Sequence, residues 1–102
     1  LSCAPIRQMA TETSVMLIKS LESFAERDEE KANWVIDRDD VVDDLFDTVK
    51  SELIKAIRQN ADNGEAATDL LMVAKYFERI GDHATNIAQW AIFAMTGEMP
   101  KD

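Results

Sequence analysis

The sequence predicts an all-α fold, an elongated antiparallel three-helix bundle, built as a single domain over residues 1–102. Three observations predict it. Apolar residues recur at helical spacing in three successive segments. Two short joints rich in capping and turn residues separate those segments. The composition is that of a folded helical protein, with 46% hydrophobic and 30% charged residues but only 3 Gly and 2 Pro. A bundle of this size buries a core without disulfide staples.

The first helix is expected from about Pro5 to Glu26. Its apolar positions are Ile6, Met9, Met16, Leu17, Leu21 and Phe24, and Pro5 suits a first helical position, where its missing N–H costs nothing. Asp28 followed by Glu29 and Glu30 reads as a cap and an acidic first turn, which the helix dipole favours. The second helix then runs from about residue 29 to 60, with Val35, Val42, Leu45, Phe46, Val49, Leu53 and Ile57 as its apolar stripe. The turn-rich run Asn60-Ala-Asp-Asn-Gly64 breaks it. The third helix is expected from about Glu65 to Thr96, where Gly97 supplies a C-terminal stop and Pro100 follows. At 1.5 Å rise per residue the second and third helices are each roughly 48 Å long. Short connections make consecutive helices antiparallel neighbours. On the third helix Ala74, Gly81, Ala84, Ala88 and Ala91 fall nearly on one side, which allows a neighbouring backbone close. Close packing there is expected to offset the roughly 1 kcal/mol that a mid-helix Gly81 costs relative to Ala.

Charge narrows the function classes. Lys and Arg total 11 against 20 Asp and Glu, a formal net charge of −9. Such a surface repels nucleic-acid backbones, anionic lipid headgroups and bare phosphate, and suits cations or basic faces of protein partners. Cys3 is the only cysteine, so no intrachain disulfide forms and Cys3 reads as a bystander. The most apolar stretch, Ile87 to Met95, is far shorter than the roughly 20 residues a membrane span needs. The chain begins with Leu1 rather than Met, as expected of a piece of a longer protein.

Acid is concentrated at i, i+4 spacing in two places. The second helix carries Asp39/Asp43 and Asp40/Asp44; the third carries Glu78/Asp82, with Asn86 one turn further. Like charges so spaced destabilise an isolated helix by a few tenths of a kcal/mol, and a hard cation reverses that sign by taking carboxylate and amide oxygens as ligands. Projected at about 100° per residue, Asp39 and Asp43 fall beside the apolar stripe, whereas Asp40 and Asp44 fall outside it. Glu78, Asp82, Asn86, Lys75 and Gln89 share the polar face of the third helix. Where that face borders the second helix, four carboxylates line one outer groove. The alternative is a plain solvated acidic face on a helical protein-interaction module without metal. His83 points away from Asp82 and reads as structural, and the Glu-x-x-His pattern of di-iron bundles is absent. No Ser or Cys is paired with a base and no glycine loop could cradle a nucleotide, so no enzyme is expected, a carboxylate-bridged metalloenzyme included. Trp90 and Phe93 project toward the edges of the polar face. Helix 1 is expected to cover them; the other reading is a surface for a partner.

The run Ala74-Lys-Tyr-Phe-Glu-Arg-Ile-Gly-Asp-His-Ala-Thr-Asn-Ile-Ala-Gln-Trp-Ala-Ile-Phe-Ala-Met-Thr-Gly-Glu98 resembles the most characteristic stretch of the PhoU family, and Asp39-Asp-Val-Val-Asp-Asp-Leu-Phe46 is similar to that family's second-helix motif. The resemblance covers essentially the whole chain. It implies one three-helix PhoU-like repeat, C-terminal in type, where the family has two in tandem: either part of a two-repeat protein or a single-repeat relative that dimerises. It implies metal ligands at Asp39, Asp43, Glu78, Asp82 and, more weakly, Asn86, with Asp40 the substitute should the register be off by one. The ions implied are Fe, Zn, Mn, Mg or Ca. It also implies a cytoplasmic regulatory adaptor, peripheral to the inner face of the membrane. Such an adaptor negatively regulates phosphate uptake between the ATPase subunit of a phosphate ABC transporter and a phosphate-sensing histidine kinase.

Overall fold

The structure, a computed structural model, describes residues 4–100; Cys3 lies outside them. Three helices follow one another: α1 (Ala4–Glu26), α2 (Glu29–Gln59) and α3 (Gly64–Thr96). A single 3₁₀ turn, Ala61–Asn63, joins the last two. They form an up-down-up bundle 53 Å long and 21 by 15 Å across. Pro5 is the second residue of α1, still within the first turn where its missing donor is harmless.

Both joints are built by side chains that the sequence marks. Arg27 adopts the left-handed conformation at φ 53 and ends α1, and the Asp28 N–H reaches back to the Ser23 carbonyl at 3.0 Å. The Asp28 carboxylate then accepts from the Lys31 N–H at 3.1 Å and caps α2. Asn60 leaves α2 in an extended conformation, and its side chain accepts from the Asp62 N–H at 3.0 Å. Gly97, at φ 80, closes α3 through its N–H to the Phe93 carbonyl at 2.7 Å.

The core follows a tighter period than 3.6. On α1 the buried residues are Ile6, Met9, Thr13, Met16, Ser20 and Ser23. On α2 they are Ala32, Val35, Val42, Phe46, Val49 and Leu53. On α3 the buried row is Ala67, Ala74, Gly81, Ala84, Ala88 and Ala91, with buried Ile92 beside it and half-buried Leu70, Phe77 and Met95 filling its gaps. Steps of three and four alternate on every helix, which is the 3.5-residue seam of coiled coils. Over two dozen residues this seam drifts away from a straight 3.6 stripe. The drift corrects the apolar faces expected above: Ser20 and Ser23 turn inward, while Leu21 and Phe24 are 54% and 55% exposed and Ile57 is also exposed.

The inward hydroxyls are satisfied within their own helix. Thr13 Oγ1 donates to the Met9 carbonyl at 2.8 Å, Ser20 Oγ to that of Leu17 at 2.7 Å, and Ser23 Oγ to that of Ser20 at 2.7 Å. Small residues on α1 and α3 thus bring the helices together at mid-bundle. Gly81 sits there, yet a methyl on it would lie 3.5 Å from Val42 Cγ1 and 3.6 Å from Thr13 Cγ2, an ordinary contact. Close packing therefore does not compel glycine, contrary to expectation. Along the other flank of α1, Glu12 pairs with Arg38, and Lys19 and Arg38 lie 5.1 and 5.2 Å from the Trp34 ring.

Candidate functional site

The seam of α2 has one irregular place. Between Val35 and Val42 the position that should carry an apolar residue is Asp39. Its side chain is therefore half-buried at the boundary between α2 and α3, and its Oδ1 is buried without a hydrogen-bond partner. Burial pushes the Asp39 carboxyl up from 3.8 to about 6, and the negative charges of Asp43, Asp82, Asp40 and Glu78 add to the shift. One turn on, exposed Asp43 is raised as well, again by partial burial first and then by Glu78 and Asp82. The two expected pairs, one per helix, are thus brought within electrostatic range across the α2–α3 boundary.

A groove of about 370 Å³ runs beside Asp39 along that boundary. Asp39, Asp82 and Asn86 line it, as do Asp37, Asp40, Thr85 and Gln89. Asp43 and Glu78 stand beyond its edge, and Glu78 is held by Lys75 at 3.0 Å. The Lys75 ammonium also lies 4.8 Å from the Phe46 ring, so it closes the end of the acidic face nearer α2's C-terminus. Among the described residues no ion pair reaches Asp39, Asp43 or Asp82. As the side chains stand, no three His, Cys, Asp or Glu groups among the described residues converge on a point where one ion could sit.

Asp40 is exposed, as its projection implies, yet it still borders the groove. Thr85 and Asp37 also border the groove, outside the set that the acid spacing marks. Thr85 follows Asp82 by three residues on the face of Gln89, a helical spacing that could have revealed it; its hydroxyl donates to the Gly81 carbonyl at 3.1 Å. His83 is exposed away from the groove. Trp90 and Phe93 are 56% and 40% exposed and form an edge-to-face pair at 5.4 Å, so α1 does not cover them. They lie one turn past Asn86 and Gln89, on α3's outer side.

The model of one protein family, the PhoU domain, matches residues 6–91, which hold every carboxylate of the site. The chain belongs to the PhoU family. Three PhoU relatives carry the name phosphate-specific transport system accessory protein PhoU homolog. The one from Rhizobium meliloti is 36% identical over 96 residues, 94% of this chain and 40% of the relative. That from Clostridium acetobutylicum is 36% identical over 93 residues, 91% and 42% of the two chains. Homolog 2 of Thermotoga maritima is 36% identical over 96 residues, 94% and 41%. This chain spans about two fifths of the length of these PhoU relatives. Among its described residues no helix is long and apolar enough to cross a membrane.

Proposed function

We propose that this chain is a regulatory accessory unit of phosphate uptake, a negative regulator and not an enzyme, with a carboxylate metal site on the outer α2–α3 boundary. Family membership and the name borne by the PhoU relatives support the phosphate-transport part. The partners proposed are the ATPase subunit of a phosphate ABC transporter and a phosphate-sensing histidine kinase, which puts the unit on the cytoplasmic side, peripheral to the membrane.

The metal part rests on one observation: Asp39 holds a buried, partnerless oxygen, and burial first, then four neighbouring acids, raise its affinity for a proton. The part of that pull that comes from the clustered carboxylates acts on a hard divalent cation as well, through twice the charge. Bound there, an ion such as Fe, Mn, Mg, Ca or Zn would neutralise the acids and tie α2 to α3. Asp39, Asp43, Glu78 and Asp82 are the proposed ligands, with Asn86 a neutral oxygen at the rim. Exposed Asp43 and Asp82 have the freedom to turn inward, and Glu78 must exchange Lys75 for the ion.

Thermal unfolding of the metal-stripped chain tests this. Added Fe, Mn, Zn, Mg or Ca should raise the midpoint, because a ligand that binds only the folded state stabilises it. An Asp43→Ala/Asp82→Ala variant should lose that response while keeping its helicity. No midpoint shift with any ion would favour a second reading, an acidic interaction module without metal. The lack of three converged ligands in the present side-chain positions speaks for that one.

A further inference from the structure

Lys75 is anchored at the end of the acidic face in two ways at once. Its ammonium lies 3.0 Å from the Glu78 carboxylate, three residues on along α3, and 4.8 Å from the centre of the Phe46 ring on α2. Phe46 is a seam residue, 7% exposed, so the core fixes its ring whatever Glu78 does. Among the described residues Lys75 is the one base whose ion pair reaches any of the four proposed ligands. Lys50 approaches the same ring at 5.5 Å but pairs with Asp47 at 3.8 Å. Arg79, the other Lys or Arg of α3, lies 5.6 Å from the Tyr76 ring.

The pair is built to open. The Lys75 side chain is 51% exposed, and an ion pair with so wet a member contributes little. An ammonium that leaves Glu78 keeps the ring face and gains water, so its release costs little. A monovalent ion offers Glu78 only the charge that Lys75 already supplies. A divalent ion brings twice that charge and takes carboxylate oxygens as ligands.

We propose, on the reading that the α2–α3 groove takes a metal ion, that Lys75 is a tethered counter-cation. It occupies Glu78 until a divalent ion displaces it. It thereby sets the affinity of the groove and its preference for divalent over monovalent ions. Displaced, it rests on Phe46. Lys75 is thus a competitor carried on the same helix as Glu78 and Asp82, one turn before the first of them.

Calorimetric titration of the metal-stripped chain with Mn, repeated with Fe, Zn, Mg and Ca, tests this. Lys75→Gln keeps the stem, removes the charge and should keep its helicity at so exposed a position. It should bind the ion that the native chain binds about three- to tenfold more tightly. Lys75→Arg should bind no more tightly than the native chain. Lys50→Gln removes the same charge from beside the same ring without touching Glu78, and should stay within about twofold of native. At equal ionic strength, potassium chloride should weaken binding no more than tetramethylammonium chloride does in the native chain, and more than it does in Lys75→Gln. Equal affinity in the native chain and Lys75→Gln, or the same gain in Lys50→Gln, overturns the role of Lys75 and leaves the metal site standing. No binding of any of the five ions by any of these chains removes the metal site itself, and the role of Lys75 with it.

Discussion

Replacing Asp39 by Asn should stabilise the metal-free chain at neutral pH and change how its stability depends on pH. The carboxyl titrates near 6 in the folded state against 3.8 when unperturbed. Between those values the folded chain binds the proton and the unfolded chain does not, so stability falls as pH rises through the window. The penalty is fully present above about 6 and absent below about 4. Two pKa units correspond to about 3 kcal/mol, but the half-buried group keeps contact with water, and screening reduces this to about 1–2 kcal/mol. Asp43, also raised, acts in the same direction. Urea unfolding in chelator, at pH 7.5 and at pH 5, reads the effect directly. The native chain should be more stable at pH 5, against the usual acid response of a protein held by ion pairs, and Asp39→Asn should lose most of that difference. A native chain no more stable at pH 5, or a variant with the same pH response, would refute the placement of Asp39 in a desolvated acidic cluster.

Other perturbations reach other parts of the fold. Gly81→Ala should be neutral or stabilising by up to about 1 kcal/mol, because the added methyl finds ordinary contacts and the helix gains propensity; a clear loss in the urea midpoint would show that α1 and α2 press closer than 3.5 Å allows. Asp28→Ala removes the acceptor of the Lys31 N–H and should cost about 1 kcal/mol, read by the same unfolding assay. The metal response of Asp43→Ala/Asp82→Ala completes the set.

Much of the fold is legible in local chemistry. Asp28, Gly97 and the Asn60 cluster end and start helices through bonds made within a few residues, so their meaning needs no tertiary context. The Ala and Gly row of α3 is likewise readable, since no other face of that helix is so small. What fails is the far end of long stripes. A 3.6 period and a 3.5 period agree over two turns and part over five, which is why a straight 3.6 stripe points to Leu21, Phe24 and Ile57 and passes over Ser20 and Ser23. The acid pairs are visible as pairs, but that they face each other follows from which flanks of α2 and α3 adjoin, a property of the bundle alone. Trp90 and Phe93 are misleading for a further reason: aromatic residues are usually covered, and these are not.

A helix whose inner face repeats every seven residues looks nearly the same after sliding by one repeat, about 10 Å. The inner faces here are especially uniform, with alanine recurring along most of α3 and valine along α2. Among the described residues Asp39 is the one charged residue at a seam position. Slid by a heptad in either direction, it would leave the open groove beside Asp82 and Asn86 and face a different stretch of its neighbours. The Asp39 carboxylate, its Oδ1 without a partner, thus acts as an alignment mark, singling out one threading of three otherwise repetitive helices from its near-copies, at a cost in stability that the Asn variant measures.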